Sequence, residues 1–378
     1  MTKIFITIPW FLPAFRAGGP VQSIANLVRE YTEEVEYYIF CGDTDFNGAA
    51  LQNIITDEWV QFNNHTQVWY AAPPKISDVL VKQVEEIQPD IIYIIGLFSW
   101  HYNIVPLLFC KGPRRILSAR GMLHPGALSQ KKWKKKIFLQ IFKILEFQHK
   151  VNFHATDLQE EDYIHRFFGK MSTTFIASNF PNQIGAIPLK KKEIGELHLI
   201  SVGIVNPMKN ILLVIESLEN LKGNIQYDIY GAIKDENYWD QCIAKIKLLP
   251  KNISVIMHKE IEPKDVKGKL ANAHVFILPS KSENFGHAIF EALSAGRPVI
   301  TSHHTPWNLL KDAHAGINVA VENSNRELQE AIDLFIKMDE EELKIWHNGA
   351  LSYAESAIDL DKIRHEYKAM FHPLEILI

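Results

Sequence analysis

Short apolar runs and longer stretches of helical period take turns along this chain. Runs rich in Ile, Val, Phe and Tyr at Lys3–Ile8, Ile91–Ile95, Arg115–Ala119, Val151–Ala155 and Thr173–Ala177 read as strands. Between them, Val21–Tyr31 and Lys131–Phe147 carry apolar positions at helical spacing. After a polar interruption the alternation resumes, with strands predicted at His198–Gly203, Gln226–Gly231, Ile253–Met257, His274–Pro279 and Pro298–Ser302. The helices between these are Lys209–Leu221, Glu236–Leu248, Lys264–Ala271 and Gly286–Ala295. Strands apolar on both faces and separated by helices build parallel sheets from βαβ units. The fold class is therefore α/β, with two doubly wound domains. Beyond Gly316 the pattern predicts helices alone, at Arg326–Met338, Glu340–Ser356 and Asp361–Met370.

The interruption, Pro181–Glu196, holds Pro181, Gly185, Pro188 and the run Lys190-Lys191-Lys192, and reads as a linker. It separates a first domain, 1–185, from a second, 196–356. The length of 378 residues agrees, since two or three domains each have room for a core. With 40 Lys+Arg against 44 Asp+Glu, the net charge of −4 disfavours a dedicated nucleic-acid binder. Cys41, Cys110 and Cys242 lie too far apart for a CxxC pair and offer neither a disulfide framework nor a zinc site. The N-terminus fits a first buried strand better than a signal peptide, and no stretch nears the ~18–20 apolar residues of a membrane span. A soluble, cytoplasmic chain is expected.

Two open α/β sheets hold ligands at the carboxyl ends of their strands. After the first strand comes Ala17-Gly18-Gly19-Pro20, either an anion site at a helix N-terminus or a tight turn. The richer segment is Pro279–Trp307, PSKSENFGHAIFEALSAGRPVITSHHTPW. Its loop amides, with a helix dipole behind them, suit phosphate or sugar oxygens. Glu283 and Glu291 stand eight residues apart, on one side of a helix and about 12 Å apart along it. That is too wide for an acid–base pair on one bond and suits two hydroxyl-bearing ends of an extended ligand. A capping residue and a surface residue would give the same spacing.

Glu283-Asn284-Phe285-Gly286 followed by Glu291-Ala292-Leu293-Ser294-Ala295-Gly296-Arg297-Pro298 resembles the EX7E region of family 4 retaining glycosyltransferases. Ser201-Val202-Gly203, Asn206-Pro207-Met208-Lys209-Asn210, Tyr230-Gly231, Thr305-Pro306-Trp307 and Ser178-Asn179 extend the resemblance in order. It implies a GT-B fold, with two Rossmann-like domains facing a cleft and a C-terminal helix, within 357–378, returning to the first. It also implies a nucleotide-diphosphate sugar as donor substrate, no cofactor and no metal. Glu291 would accept the ribose hydroxyls, and Glu283 with the amides of Asn284, Phe285 and Gly286 would hold the donor sugar. Lys209, with the amides of His287, Ala288 and Gly19, would neutralise the departing diphosphate, and Gly203 belongs to the same donor loop. Ile261 stands where such enzymes hold the base. Fixed positive groups at the leaving phosphate lower the barrier by electrostatics and positioning.

The sequence departs from that family at Ile204, where the pattern has an arginine; either another cation serves, with Arg297 and Lys281 as the candidates, or diphosphate binding is weak. In the first domain, Ser118-Ala119-Arg120-Gly121-Met122-Leu123-His124 resembles an Arg-Gly-Met-Leu subgroup, which makes Arg120 the catalytic candidate and His124 the reserve. His101 either lines the acceptor side or packs in the core.

Gln130–Phe147, QKKWKKKIFLQIFKILEF, sets five lysines around Trp133 ahead of an apolar helix. Such a segment is attracted to an anionic membrane at ~1 kcal/mol per basic residue, or is a buried helix with a solvated lysine end. Lys131–Lys136 would touch lipid phosphates while the apolar face packs. The expected partners are a nucleotide sugar, a glycan or lipid-linked acceptor in surface polysaccharide assembly, and an anionic membrane, with no nucleic acid. A non-catalytic scaffold and a sugar-nucleotide epimerase of the same architecture are the rival readings.

Overall fold

The computed structural model describes residues 1–124, 127–128, 132–322 and 325–373. The chain divides into Met1–Phe180 with Leu360–Ile378, and Pro181–Asp359.

In the first unit, β1 (Thr2–Thr7), β2 (Val35–Gly42), β3 (Trp59–Asn63), β4 (Thr66–Ala71), β5 (Ile91–Ile95), β6 (Arg114–Ser118), β7 (Asn152–Ala155) and β8 (Thr174–Ile176) form one sheet in the order β3-β4-β2-β1-β5-β6-β7-β8. The pairings run parallel except the β3–β4 hairpin. The sequence reading passes over β2, the hairpin, and the helices Ile76–Ile87 and Leu158–Phe168. In β2, Val35-Glu36-Tyr37-Tyr38 alternates buried and half-buried positions, which dilutes an apolar run.

The helix Leu360–Phe371 belongs to this unit. Tyr367 is buried against Phe180 with ring centroids 5.2 Å apart, and Arg114 donates to the carbonyls of Met370 and Phe371. Glu366 accepts the Ser178 amide at 2.9 Å.

In the second unit, β9 (Glu196–Val202), β10 (Asn224–Tyr230), β11 (Ile253–Met257), β12 (Val275–Leu278), β13 (Val299–Ser302) and β14 (Gly316–Val319) form an all-parallel sheet, β11-β10-β9-β12-β13-β14. The strand β14 corrects the expectation of helices alone after Gly316. It is four residues long with half-buried Ile317 and Asn318, too short and polar to read as a buried run.

In each sheet the order of successive strands reverses beside its first strand. In the second, β10 lies on one side of β9 and β12 on the other, so the loops after β9 and β12 diverge and leave a crevice at their carboxyl ends. In the first, the reversal falls between β1 and β5. The apolar side chains of the central strands of both sheets are almost wholly buried, which fixes the strand ends that carry these loops.

Candidate functional site

The loop after β9 is shaped by Asn206, whose side-chain oxygen accepts the amides of Met208 at 3.0 Å and Lys209 at 3.2 Å. This local turn throws the Lys209 side chain over the end of the sheet. The loop after β12 is tied to it by the Lys281 amide, which donates to the Met208 carbonyl at 2.8 Å. Lys209 Nζ and Glu283 Oε1 consequently form an ion pair, with both side chains largely buried. The Ser280 hydroxyl donates to the same Glu283 oxygen at 2.7 Å, and the Glu283 amide donates to the His304 carbonyl at 3.2 Å.

Glu283 is not on a helix. The helix is His287–Ser294, with Gly286 at its N-cap in the left-handed region (φ 75°), so the 12 Å spacing along one axis does not apply. The chain turns at Asn284-Phe285-Gly286 before the helix begins. Trp307 holds that turn: its Nε1 donates to the Phe285 carbonyl at 2.6 Å, and its ring meets Phe285 edge-on. A Cβ on Gly286 would lie 3.2 Å from that same Nε1. Thr305-Pro306-Trp307 thus buttresses the candidate loop from β13. The helix points its N-terminus at the loop, and His287 and Ala288 are among its first residues, whose amides have no intrahelical acceptor.

Glu291 is 7% exposed on this helix. Burial raises its carboxyl to about 7, and the Asn182 side chain, donating to Oε1 at 2.9 Å, pulls in the opposite direction. Gly203 follows β9, and its carbonyl lies where a Cβ on Gly231 would come within 1.9 Å. That close approach is why Tyr230 is followed by glycine. Ile261 is half-buried against the core of the same unit. Nearby, His258 stacks on Tyr230 with centroids 4.3 Å apart and binds Asp228 at 2.8 Å.

Ile204 is not replaced by Arg297. That guanidinium is fully buried and spent on structure: Nε donates to the Leu270 carbonyl at 2.9 Å, Nη2 to the Pro188 carbonyl at 2.6 Å, and Nη1 lies 3.3 Å from His347 Nδ1. Lys281 is exposed and borders a cavity of about 430 Å³ with Pro207, Asn210, Glu216 and Asp235.

Gly19 and Arg120 belong to the first unit. Gly19 opens the helix Gly19–Glu30, one residue after Gly18 at φ 78°. Arg120 has left-handed backbone (φ 49°) and donates to Asn179 Oδ1 and, at 2.8 Å, to the Tyr93 hydroxyl. Tyr93 in turn meets His154 Nδ1 at 2.6 Å, and His154 Nε2 meets the Ala177 carbonyl at 2.8 Å. Burial, then the charge of Arg120, pushes His154 down to about 3. The neutral ring carries its proton on Nε2, so Tyr93 donates to Nδ1 and its oxygen accepts from Arg120. Tyr93, His154 and Asn182 escape sequence reasoning because they are single residues with partners distant in sequence. His124 meets Tyr163 edge-on at 5.5 Å, and His101 Nδ1 meets the Ser77 hydroxyl at 2.7 Å.

The triplet Asp43-Thr44-Asp45, the kind that elsewhere holds a metal, follows β2. Asp45 is buried, pairs with Arg16 at 3.2 Å and accepts the Phe46 amide at 2.7 Å. Among the described residues no group of three His, Cys, Asp or Glu is placed to hold a metal ion.

The basic segment also departs from expectation. Lys131 lies outside the described residues. On the helix Lys132–Ile144, Leu139 and Phe142 are buried, while Trp133 (76% exposed), Ile137 (57%), Ile141 and Ile144 face outward. The apolar positions form two stripes, and only one packs. Lys135 is turned inward, donating to the Ala127 carbonyl at 2.6 Å and lying over the Phe98 ring. No helix among the described residues is long and apolar enough to cross a membrane.

Residues 188–351 match the family model of glycosyl transferases group 1. No curated protein matches the sequence. Solved structures similar over nearly the whole of both chains include sucrose-phosphate synthase from Thermosynechococcus elongatus, at 16% identity, 100% of each chain and a TM-score of 0.74. Anabaena HepE in complex with UDP-glucose is similar at 14% identity, 99% of this chain and 100% of its own, with a TM-score of 0.72. WaaG, a glycosyltransferase involved in lipopolysaccharide biosynthesis, is similar at 15% identity, 98% of this chain and 99% of its own, with a TM-score of 0.66. These likenesses share the fold of two parallel α/β units. Residues 188–351 therefore match the glycosyl transferases group 1 model, and the chain has the GT-B fold that these solved structures share.

Proposed function

We propose that the chain transfers a sugar from a nucleotide-diphosphate sugar, with retention at the anomeric carbon and without a metal, to a glycan or lipid-linked acceptor in surface polysaccharide assembly. The observation that carries this reading is the meeting of Lys209 and Glu283 at the switch point of the second sheet. In the free protein they neutralise each other. A bound donor would take both apart: its diphosphate attracts the ammonium, and its sugar hydroxyls donate to the carboxylate. Lys209, with the first amides of the helix His287–Ser294, would then stabilise charge as the diphosphate leaves. Glu291 would hold the ribose, and Arg120, anchored through Tyr93 and Asn179, would serve the acceptor side.

The outward stripe Trp133, Ile137, Ile141 and Ile144 supports contact with an anionic membrane. Lys134, Lys136 and Lys143 are exposed beside it, and the helix Lys132–Ile144 has no acidic residue. Ile204 favours a second reading, a scaffold that binds no donor, because Arg297 is drawn inward and does not take over its position.

Thermal unfolding against UDP, GDP, ADP, CMP and dTDP separates the two, since a ligand of the native state raises the midpoint. A rise with one nucleotide, lost in Lys209→Ala, is expected. No rise with any of the five would favour the scaffold.

A further inference from the structure

We infer that Asn182 is a positioning residue for nucleotide binding: it aims the Glu291 carboxylate and holds it in the state that accepts ribose hydroxyls. This rests on the proposed role of Glu291. The segment 181–188 runs along the Glu291 helix and is fastened to it repeatedly. Asn182 Nδ2 donates to Glu291 Oε1 at 2.9 Å. The Ile184 amide donates to the Ser294 hydroxyl at 3.1 Å, which itself donates to the Glu291 carbonyl at 3.0 Å. Further along, the Pro188 carbonyl accepts from Arg297 at 2.6 Å. Asn182 is therefore held by its backbone surroundings, and its amide meets the carboxylate from a fixed direction.

A ribose hydroxyl donates more strongly to a carboxylate than to a carboxylic acid. Glu291 is buried deeply enough for burial to favour the acid, and the Asn182 N–H, which only the anion uses fully, opposes that. Of the charged groups around this helix, Lys267 donates to the Ile184 carbonyl at 3.3 Å, two residues beyond Asn182. Arg297 is bound to the Leu270 and Pro188 carbonyls and lies against His347 of the helix Glu340–Ala357, and His287, on the Glu291 helix itself, packs its ring on Phe285. An amide, unlike a lysine or arginine, steadies the anion without cancelling its charge, so the carboxylate keeps its attraction for hydroxyl donors.

The test is the UDP dissociation constant by calorimetry between pH 5.5 and 8.5, for wild type, Asn182→Leu and Glu291→Ala, each variant read as a ratio to wild type so that the titration of UDP itself cancels. Asn182→Leu is expected to bind UDP about tenfold more weakly at pH 7 and to recover most of that loss at pH 8.5, where deprotonation is forced. Asn182→Ser, which shortens the side chain without adding apolar bulk, carries the same test if the leucine variant does not fold. A variant that follows the wild-type curve, or that loses the same factor at every pH, overturns the inference. If Glu291→Ala also binds UDP as wild type does, the reading of Glu291 itself fails. If Glu291→Ala weakens UDP while Asn182→Leu leaves it unchanged, only the role of Asn182 is lost.

Discussion

Replacing Glu291 by Gln should make the free protein more stable, by an amount set by pH. In the folded chain burial holds this carboxyl near 7, against an ordinary value of 4.5. Between those values the native state keeps a proton that the unfolded state releases, so stability falls as pH rises through this window. The penalty is absent below about pH 4.5 and complete above about pH 7. A difference of about 2.5 units corresponds to about 3 kcal/mol at 1.36 kcal/mol per unit. Glutamine has the same shape, can still accept the Asn182 N–H, and cannot ionise. For a unit of this size, ~1 kcal/mol moves the melting temperature by ~2–4 °C, so Glu291→Gln should melt about 6–12 °C above wild type at pH 8 and almost level with it near pH 4.5. Differential scanning calorimetry of both proteins at pH 5, 6, 7 and 8 reads this directly. A gap that does not change with pH, or a glutamine variant that melts lower at pH 8, refutes the reasoning. The physical content is a trade: the group proposed to hold ribose is kept buried at a cost to the free protein.

Glu283→Ala should abolish sugar transfer while UDP binding persists, checked by a donor-turnover assay beside calorimetry; retained activity would remove Glu283 from the site. Gly231→Ala should destabilise the second unit by about 3 kcal/mol, since the new Cβ meets the Gly203 carbonyl and the backbone is strained for any other residue; urea unfolding measures it. Ile137→Glu with Ile141→Glu should lower binding to phosphatidylglycerol vesicles at least tenfold in a flotation assay while leaving the melting temperature within a degree or two, because both side chains face outward. Equal binding would remove the outer stripe as a membrane contact.

Much of the candidate site could be read from the chain because it lies in two short segments. Asn206–Asn210 and Glu283–Glu291 each follow a buried strand, and a parallel α/β sheet sends such loops to the same edge. What the reading missed has a common cause. Spacing along a helix suggested that Glu283 and Glu291 share one axis, but a turn centred on Phe285 intervenes, held by Trp307 from another strand. Arg297 stands next to the motif in sequence yet is drawn inward by the carbonyls of Leu270 and Pro188. In the helix Lys132–Ile144 the apolar residues are too numerous for one buried face, and periodicity alone does not reveal which stripe packs.

The chain alone carried the central strands, most of the helices and their parallel arrangement, and put the candidate residues after two strands of the second unit. These follow from patterns within ten or twenty residues, where side-chain periodicity and backbone geometry act directly. Tertiary structure decided the partners. Asn182 with Glu291, Lys209 with Glu283, and Arg120 with Tyr93 and Asn179 are pairs 27 to 109 residues apart. Burial, too, is a property of the packed layers, and it is burial that lifts Glu291 to about 7 and drops His154 to about 3. A residue's type is written in the chain, whereas the dielectric and the donors around it exist only once distant segments have packed together.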